Sequence, residues 1–190
     1  MTIIFRRTPT MKKQDLRVIK TEKAICEAFL QLRKKMPLEK IKVRDICRIA
    51  LINTTTFYNH YADIPTLSDS LENKILEQSF QNFDGKDCLF SDPERFLKGA
   101  QLSIEESDET LSILFHDRTD VQFLKLSKQL RDYYQSQSTS EEDDVRMTFL
   151  ITGTMHTMQL LTQEGNYTTE ELVKHISTYI RAIIANDQHV

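Results

Sequence analysis

The chain has 190 residues, with only four glycines and four prolines. A β-rich fold needs many tight turns, so this composition favours an all-α protein of one large or two small domains. The net charge of −3 is unevenly distributed, since residues 1–63 carry 14 basic and 6 acidic residues, whereas residues 64–190 carry 11 and 22. A basic front joined to an acidic body is typical of a polyanion-binding module fused to a separate domain.

Several classes of protein are disfavoured by the same sequence. No window approaches the ~18 continuous apolar residues of a membrane span, and the basic residues of MTIIFRR follow its short apolar run instead of preceding it, unlike a secretory signal. The three cysteines have no metal-ligand spacing, and the five histidines form no close i, i+4 pair. Because there is also no nucleophile elbow or Gly-rich phosphate loop, we expect a cytoplasmic non-enzyme without metal, cofactor or membrane partner.

Four helices are predicted in the first part of the chain, after a flexible basic arm at residues 1–14. Pro37 ends the first helix, Asn53 is the expected N-cap of the third, and Asp63 is the expected N-cap of the fourth. The predicted ranges are Asp15 to Lys35, Val43 to Ala50, Thr54 to Tyr61 and Ile64 to Phe83.

Five more helices are predicted beyond residue 90, which gives about nine helices and no convincing strand. Ser91–Glu94 and Thr168–Glu171 both have the spacing of a capping box, in which a hydroxyl and a carboxylate satisfy backbone N–H groups reciprocally. The predicted ranges are Ser91 to Glu105, Leu111 to Phe115, Asp120 to Gln135, Val145 to Thr162 and residues 169–185.

The segment VRDICRIALINTTTFYNHY, from Val43 to Tyr61, holds two short helices separated by a break. Phe57 and Tyr61 are four residues apart and are expected to face the core, so the hydroxyls, amide, imidazole and phenol of the third helix face outward. Such groups form hydrogen bonds with base edges and phosphate oxygens. The pattern therefore predicts a helix-turn-helix DNA-binding domain at residues 15–63, followed by a helical regulatory and dimerisation domain at 64–190.

Lys23 to Leu67 resembles the DNA-binding domain of the TetR/AcrR-type bacterial transcriptional regulators, through the stretches VRDICRIA, LIN, TTTFYNHY and DIPTL. The resemblance implies a repressor that binds a pseudo-palindromic operator as a dimer and is released by a small apolar ligand. It implies a recognition helix from Thr54 to His60. Within this region the implied DNA contacts are Thr54, Thr55, Thr56 and Asn59 on base edges, Tyr58 and His60 on phosphates, and Arg44 on backbone or a base.

Three departures from the family pattern affect DNA binding. Leu51 stands where the family's turn usually has glycine, and Ile64 replaces a lysine that usually meets a phosphate. We expect the backbone N–H groups at the start of the fourth helix to remain available to a phosphate. The recognition helix has no arginine, so bidentate guanine contacts are not expected from it, and thymine-methyl and adenine contacts are favoured.

The acidic body is interpreted as a dimerisation and effector-binding domain, with an internal monomer core as the other reading of its apolar stripes. The expected dimer contacts are Leu150, Gly153, His156, Thr157, Leu160 and Leu161 on one helix, and Ile176, Tyr179, Ile180 and Ile183 on the last. The candidate contacts to an unknown small-molecule effector, each of which also suits plain core, are Phe115, His116, Phe123, Tyr133, Phe149 and Met155. A helical protein-interaction module with vestigial DNA binding is the alternative function.

Overall fold

The computed structural model describes residues 13–105, 109–135 and 141–186, so the predicted arm at residues 1–14 lies almost wholly outside the described residues. Within these ranges there are nine α-helices, a short 3-10 turn at Leu38–Lys40 and no strand, which confirms the all-α prediction. In chain order the helices are α1 (Lys13–Arg33), α2 (Val43–Ala50), α3 (Thr54–Tyr58), α4 (Ile64–Asn82), α5 (Pro93–Glu105), α6 (Glu109–Phe115), α7 (Thr119–Gln135), α8 (Glu141–Glu164) and α9 (Thr169–Asn186).

The helices divide between two compact units, and the chain passes between them more than once. The first unit is Met1–Leu76 with Asp108–Arg118, and the second is Glu77–Ser107 with Thr119–Val190. The division therefore does not coincide with the boundary predicted at residue 63. Moreover, α6 belongs to the same unit as α1, α2 and α3. No local sequence pattern indicates this association.

The first unit is built on α1, which packs against both α2 and α6. Its buried side chains include Phe29 of α1, Ile46 of α2 and Phe57 of α3. Tyr61 is buried as well, so Phe57 and Tyr61 both face the core as predicted. In the second unit α7 packs on α8, and α9 packs on α5 and α8.

Three helix starts, those of α3, α4 and α9, follow the predicted capping signals. The side chain of Asn53 accepts a hydrogen bond from the Thr56 N–H at 2.7 Å, and Asp63 accepts one from the Thr66 N–H at 2.7 Å. The capping box before α9 is also present, since the Thr168 N–H donates to the carboxylate of Glu171 at 2.8 Å and the Glu171 N–H donates to the Thr168 hydroxyl at 3.2 Å.

The capping box predicted at Ser91–Glu94 is wrong. Asp92 caps α5 instead, because its carboxylate accepts the Arg95 N–H at 3.2 Å. Pro93 occupies the first helical position, where its lack of an N–H group and its fixed φ are well tolerated. Glu94 points along the helix surface and binds Lys98 Nζ at 2.7 Å. The proline therefore shifts the start of the helix by one residue relative to the hydroxyl-and-carboxylate pattern.

Candidate nucleic-acid interface

The connection between α2 and α3 is a three-residue turn, Leu51 to Asn53. Leu51 has φ 55° and ψ 44°, the left-handed conformation usually adopted by glycine after a helix. The Ile52 N–H donates to the Cys47 carbonyl at 3.0 Å, which closes the helix end in the manner of a Schellman motif. The turn therefore has the geometry that glycine usually supplies, at a cost in strain of about 1–2 kcal/mol for a residue with a Cβ.

We expect Leu51→Gly to raise the free energy of unfolding by about 0.5–1 kcal/mol, because relief of strain exceeds the added entropy of the unfolded chain. Little burial is lost, since the Leu51 side chain is 91% exposed. Urea unfolding of the full chain measures the effect. Leu51→Ala is the matched control, because alanine keeps the strained Cβ, and an equal gain from both substitutions would contradict this explanation.

The outward face of α3 carries the side chains that the sequence assigned to DNA. Thr54, Thr55, Tyr58 and Asn59 are exposed, whereas Thr56 and His60 are half-buried. The buried ring of Phe57 meets the Tyr58 ring edge-on, with 5.5 Å between centroids, and this packing holds the phenol on the outside. These polar side chains therefore form one accessible face supported by a single buried aromatic ring.

The Thr56 side chain is less available than the sequence suggested. Its hydroxyl donates to Asn53 Oδ1 at 2.9 Å, the same oxygen that accepts its backbone N–H. Arg44, at the start of α2, is exposed. Thr56 thus supports the N-cap of α3, while Arg44 and the other exposed side chains are free to reach a ligand.

The start of α4 offers less to a phosphate than the sequence suggested. Ile64, which stands at the position of the family's lysine, is buried. The Asp63 carboxylate accepts hydrogen bonds from the hydroxyl and the backbone N–H of Thr66, and these bonds hold the pKa of Asp63 below its usual range. The helix start is therefore already occupied by a carboxylate, which repels a phosphate.

A set of polar contacts that the sequence did not reveal joins the α6 segment to the rest of the first unit. Arg33 is fully buried, and its guanidinium binds both oxygens of Asp117, at 2.5 and 3.3 Å, and the Leu114 carbonyl at 2.9 Å. Arg118 donates to the buried carboxylate of Glu72 at 2.8 Å. The hydrogen bonds from Arg33 lower the pKa of Asp117.

The outer face of α8 and α9 is apolar at several positions. On α8, Val145 is 73% and Phe149 66% exposed, and on α9 Tyr179 is 67% exposed. A Cβ added at Gly153 would meet no atom within 4 Å, so the protein's own packing does not require a glycine there. The predicted dimer residues His156, Thr157 and Leu160 are exposed, whereas Leu161 and Ile183 are half-buried and pack against the core of the second unit.

Three residues predicted for the dimer contact lie elsewhere. Leu150, Ile176 and Ile180 are buried in the core of the second unit. The reason is geometric: α8 is apolar on more than one side, and the side that carries Leu150 packs inward. Phe149, predicted as a ligand contact, lies instead on the outer face. Phe149 and Leu150, which are neighbours in α8, therefore face in different directions.

The six candidate effector contacts are divided between the two units. Phe115 is buried in the first unit, and the adjacent His116 is exposed. In the second unit Phe123 packs edge-on against His156, with 5.6 Å between ring centroids, and Tyr133 packs against Phe80 at 5.4 Å. Met155 accepts a hydrogen bond from the Ser127 hydroxyl at 3.7 Å. An effector site at these residues stays a prediction.

Comparisons with known proteins point in one direction. The chain is 31% identical over 104 residues to the uncharacterized HTH-type transcriptional regulator YxbF of Bacillus subtilis (strain 168). The matched region is 54% of this chain and 25% of that protein, so the chain spans about a quarter of the length of this relative. No protein-family profile matches the chain, and no solved structure does so either.

The described residues provide neither a membrane-spanning helix nor a cluster of metal ligands. Within the described ranges, no helix is both long and apolar enough to cross a bilayer. In the same part of the chain, no group of three or more His, Cys, Asp or Glu side chains is placed to hold a metal ion.

Proposed function

We propose that the protein is a DNA-binding transcriptional regulator of the helix-turn-helix type, in which α3 is the recognition helix and enters the major groove. The observation that carries this proposal is the outward face of α3, with Thr54, Thr55, Tyr58 and Asn59 exposed. Hydroxyl and amide groups on a helix of this kind suit base edges and phosphate oxygens. The similarity to YxbF supports a regulator in general, and the TetR/AcrR resemblance supports a repressor.

The charge distribution supports the same proposal. The net +8 of residues 1–63 falls on the part of the chain that holds α3, and Arg44 is exposed nearby in sequence. Cationic side chains supply the sequence-independent part of DNA affinity by releasing counterions from the duplex. The net charge of −11 on residues 64–190 makes that part of the chain a poor partner for DNA.

We infer that the active form is a two-fold dimer joined through the outer faces of α8 and α9. Val145, Phe149 and Tyr179 expose large apolar side chains on these helices, and a Cβ added at Gly153 of α8 would meet no atom within 4 Å. Exposed apolar side chains that form one contiguous patch mark an interaction site. A two-fold dimer matches a pseudo-palindromic operator, because half-site spacing mirrors protein symmetry.

A small apolar effector that releases the operator completes the proposal. An effector lowers DNA affinity only if it binds better to a state that holds DNA less well, and DNA must then weaken the effector by the same factor. The chain passes between its units at residues 76–77, 107–108 and 118–119, so α4 is not the only covalent route for such coupling.

The alternative, a protein-interaction module with weakened DNA binding, is favoured by one observation. Asp63 places a carboxylate at the start of α4. Ile64, at the position where TetR/AcrR-type proteins usually have a lysine, is buried. Direct measurement of duplex binding separates the two functions, because an interaction module shows no preference among duplexes.

Two adjacent residues test the proposal, Tyr58 at the end of α3 and Asn59 at its C-cap. We expect Asn59→Ala to cost about 1–3 kcal/mol on a preferred duplex and to reduce the preference over a scrambled one, because Asn59 reads a base. Tyr58→Phe removes a phosphate contact and should weaken binding to both duplexes alike. Fluorescence anisotropy with both duplexes gives these values. If Asn59→Ala lowered both affinities equally, or neither, recognition by α3 would be refuted.

A further inference from the structure

An open cleft lies beside the recognition helix, between the start of α1 and the turn before α3. Its volume is about 510 Å³, and its walls include Arg17 and Val18 of α1, Leu51 and Asn53 of the turn, and His60. Among the described residues that line it, none is acidic. No local sequence pattern indicates a role for Arg17 or Val18, because their position beside the turn depends on how α1 packs on α2.

The polar groups of this cleft are mainly hydrogen-bond donors. Asn53 Oδ1 already accepts the N–H and the hydroxyl of Thr56, so the amide N–H groups of Asn53 remain to face a ligand. The Thr21 hydroxyl donates to the Arg17 carbonyl at 2.9 Å, so its proton is not available to a ligand in the cleft. Arg17, Asn53 and His60 therefore supply the donors, and Arg17 supplies the charge.

The apolar groups of the cleft have a complementary role. Val18 and Leu51 both expose their side chains, and they lie among the same walls as the donors. A nucleic-acid strand alternates an anionic phosphate with a sugar that has an apolar face. A cleft whose described walls supply the guanidinium of Arg17, hydrogen-bond donors on Asn53 and His60, and exposed apolar side chains matches that alternation, whereas an isolated small anion would leave the apolar side chains unused.

We propose that this cleft seats a stretch of the DNA sugar–phosphate backbone, with Arg17 as the charge partner of a phosphate, Asn53 and His60 as hydrogen-bond donors, and Val18 and Leu51 against a sugar. The inference rests on the proposed function, since it assumes that α3 faces DNA. It supplies a backbone contact on α1 beside α3, while the start of α4 carries a carboxylate. Phosphate contacts fix the register of a protein on its duplex without reading sequence.

The salt dependence of duplex binding by the full chain tests the cleft. Each phosphate contact contributes about 0.9 to the slope of log affinity against log salt concentration. We expect Arg17→Ala to lower the slope by about that amount per protomer, and Arg17→Lys to keep the wild-type slope. Lys35→Ala is the matched control, because Lys35 is also exposed and follows the far end of α1, roughly 25 Å away at 1.5 Å per residue.

The outcomes separate this proposal from the proposed function. A lower slope for Arg17→Ala alone supports the cleft, whereas equal slopes for Arg17→Ala and Lys35→Ala overturn it. Backbone contacts are independent of sequence, so the comparison is equally valid on random duplex. A protein that binds duplex without preference, yet loses slope only in Arg17→Ala, would refute the specific regulator and support the cleft. No duplex binding at all would overturn both.

Discussion

Asp117→Ala is expected to lower the free energy of unfolding of the first unit by about 3 kcal/mol. The substitution leaves the fully buried guanidinium of Arg33 without its carboxylate, and the Leu114 and Met36 carbonyls are its remaining acceptors among the described residues. Removal of one partner from a buried ion pair is costly because the other charge stays desolvated. Urea unfolding, followed by amide hydrogen exchange in α1, measures the change in that unit.

Glu109→Ala is the matched control, because Lys34 and Glu109 form an exposed ion pair at 2.8 Å between the same two segments. An exposed pair contributes at most about 1 kcal/mol. Hydrogen bonds from Arg33 lower the pKa of Asp117, so its stabilisation is present above the unfolded-state pKa, near 3.9, and is lost as the pH falls through the folded-state value. The difference between wild type and Asp117→Ala should therefore shrink below about pH 4. Equal effects of the two substitutions at pH 7 would contradict a dominant buried pair.

Phe149→Asp is expected to weaken the proposed dimer by about 2 kcal/mol or more, which is roughly thirtyfold in the dissociation constant. The Phe149 side chain is 66% exposed on α8, so the protomer should fold normally while a charge enters the proposed contact. Sedimentation analysis at micromolar concentration measures the change. Operator affinity should fall with it, because a monomer holds only one half-site.

Leu102→Asp is the matched control for this substitution. Leu102 is an exposed apolar residue on α5, which is not one of the two helices of the proposed contact. The same charge placed there should leave the dissociation constant unchanged. A wild-type chain that sediments as a monomer, or a dimer weakened equally by both substitutions, would exclude the α8–α9 interface.

The features that the sequence predicted well are those set by neighbouring residues. Each of the confirmed caps, at Asn53, Asp63 and Thr168, joins groups that are three residues apart. A short stretch of sequence therefore contains every group that forms these hydrogen bonds. The same reasoning predicted both ends of α2 correctly, because the apolar spacing of the helix and the turn that ends it lie within a few residues of each other. At Ser91 it failed, because Pro93 changes which residue can cap.

The features that the sequence did not predict depend on distant parts of the chain. Arg33 and Asp117 are 84 residues apart, and nothing local to either residue indicates its partner. Likewise, a helix with apolar residues on two sides does not reveal which side packs inward, so the sequence predicts Leu150 at the dimer contact and Phe149 as an effector contact, whereas Leu150 is buried and Phe149 is exposed. The exposed face of α3 was predicted, since Phe57 and Tyr61 fixed its buried side. The cleft beside Arg17 was missed, because it forms only when α1 lies next to the turn.

Selection of duplexes from a random pool tests the central claim most directly. The full chain is compared at physiological salt with a variant that carries Thr54→Ala, Thr55→Ala and Asn59→Ala, three exposed positions of α3 and its C-cap. Recognition by α3 predicts that the wild type enriches sites of two inverted halves, their centres one helical turn or a multiple of about 34–36 Å apart, and that the variant does not. A wild-type pool no different from the variant pool would contradict sequence-specific regulation by this helix.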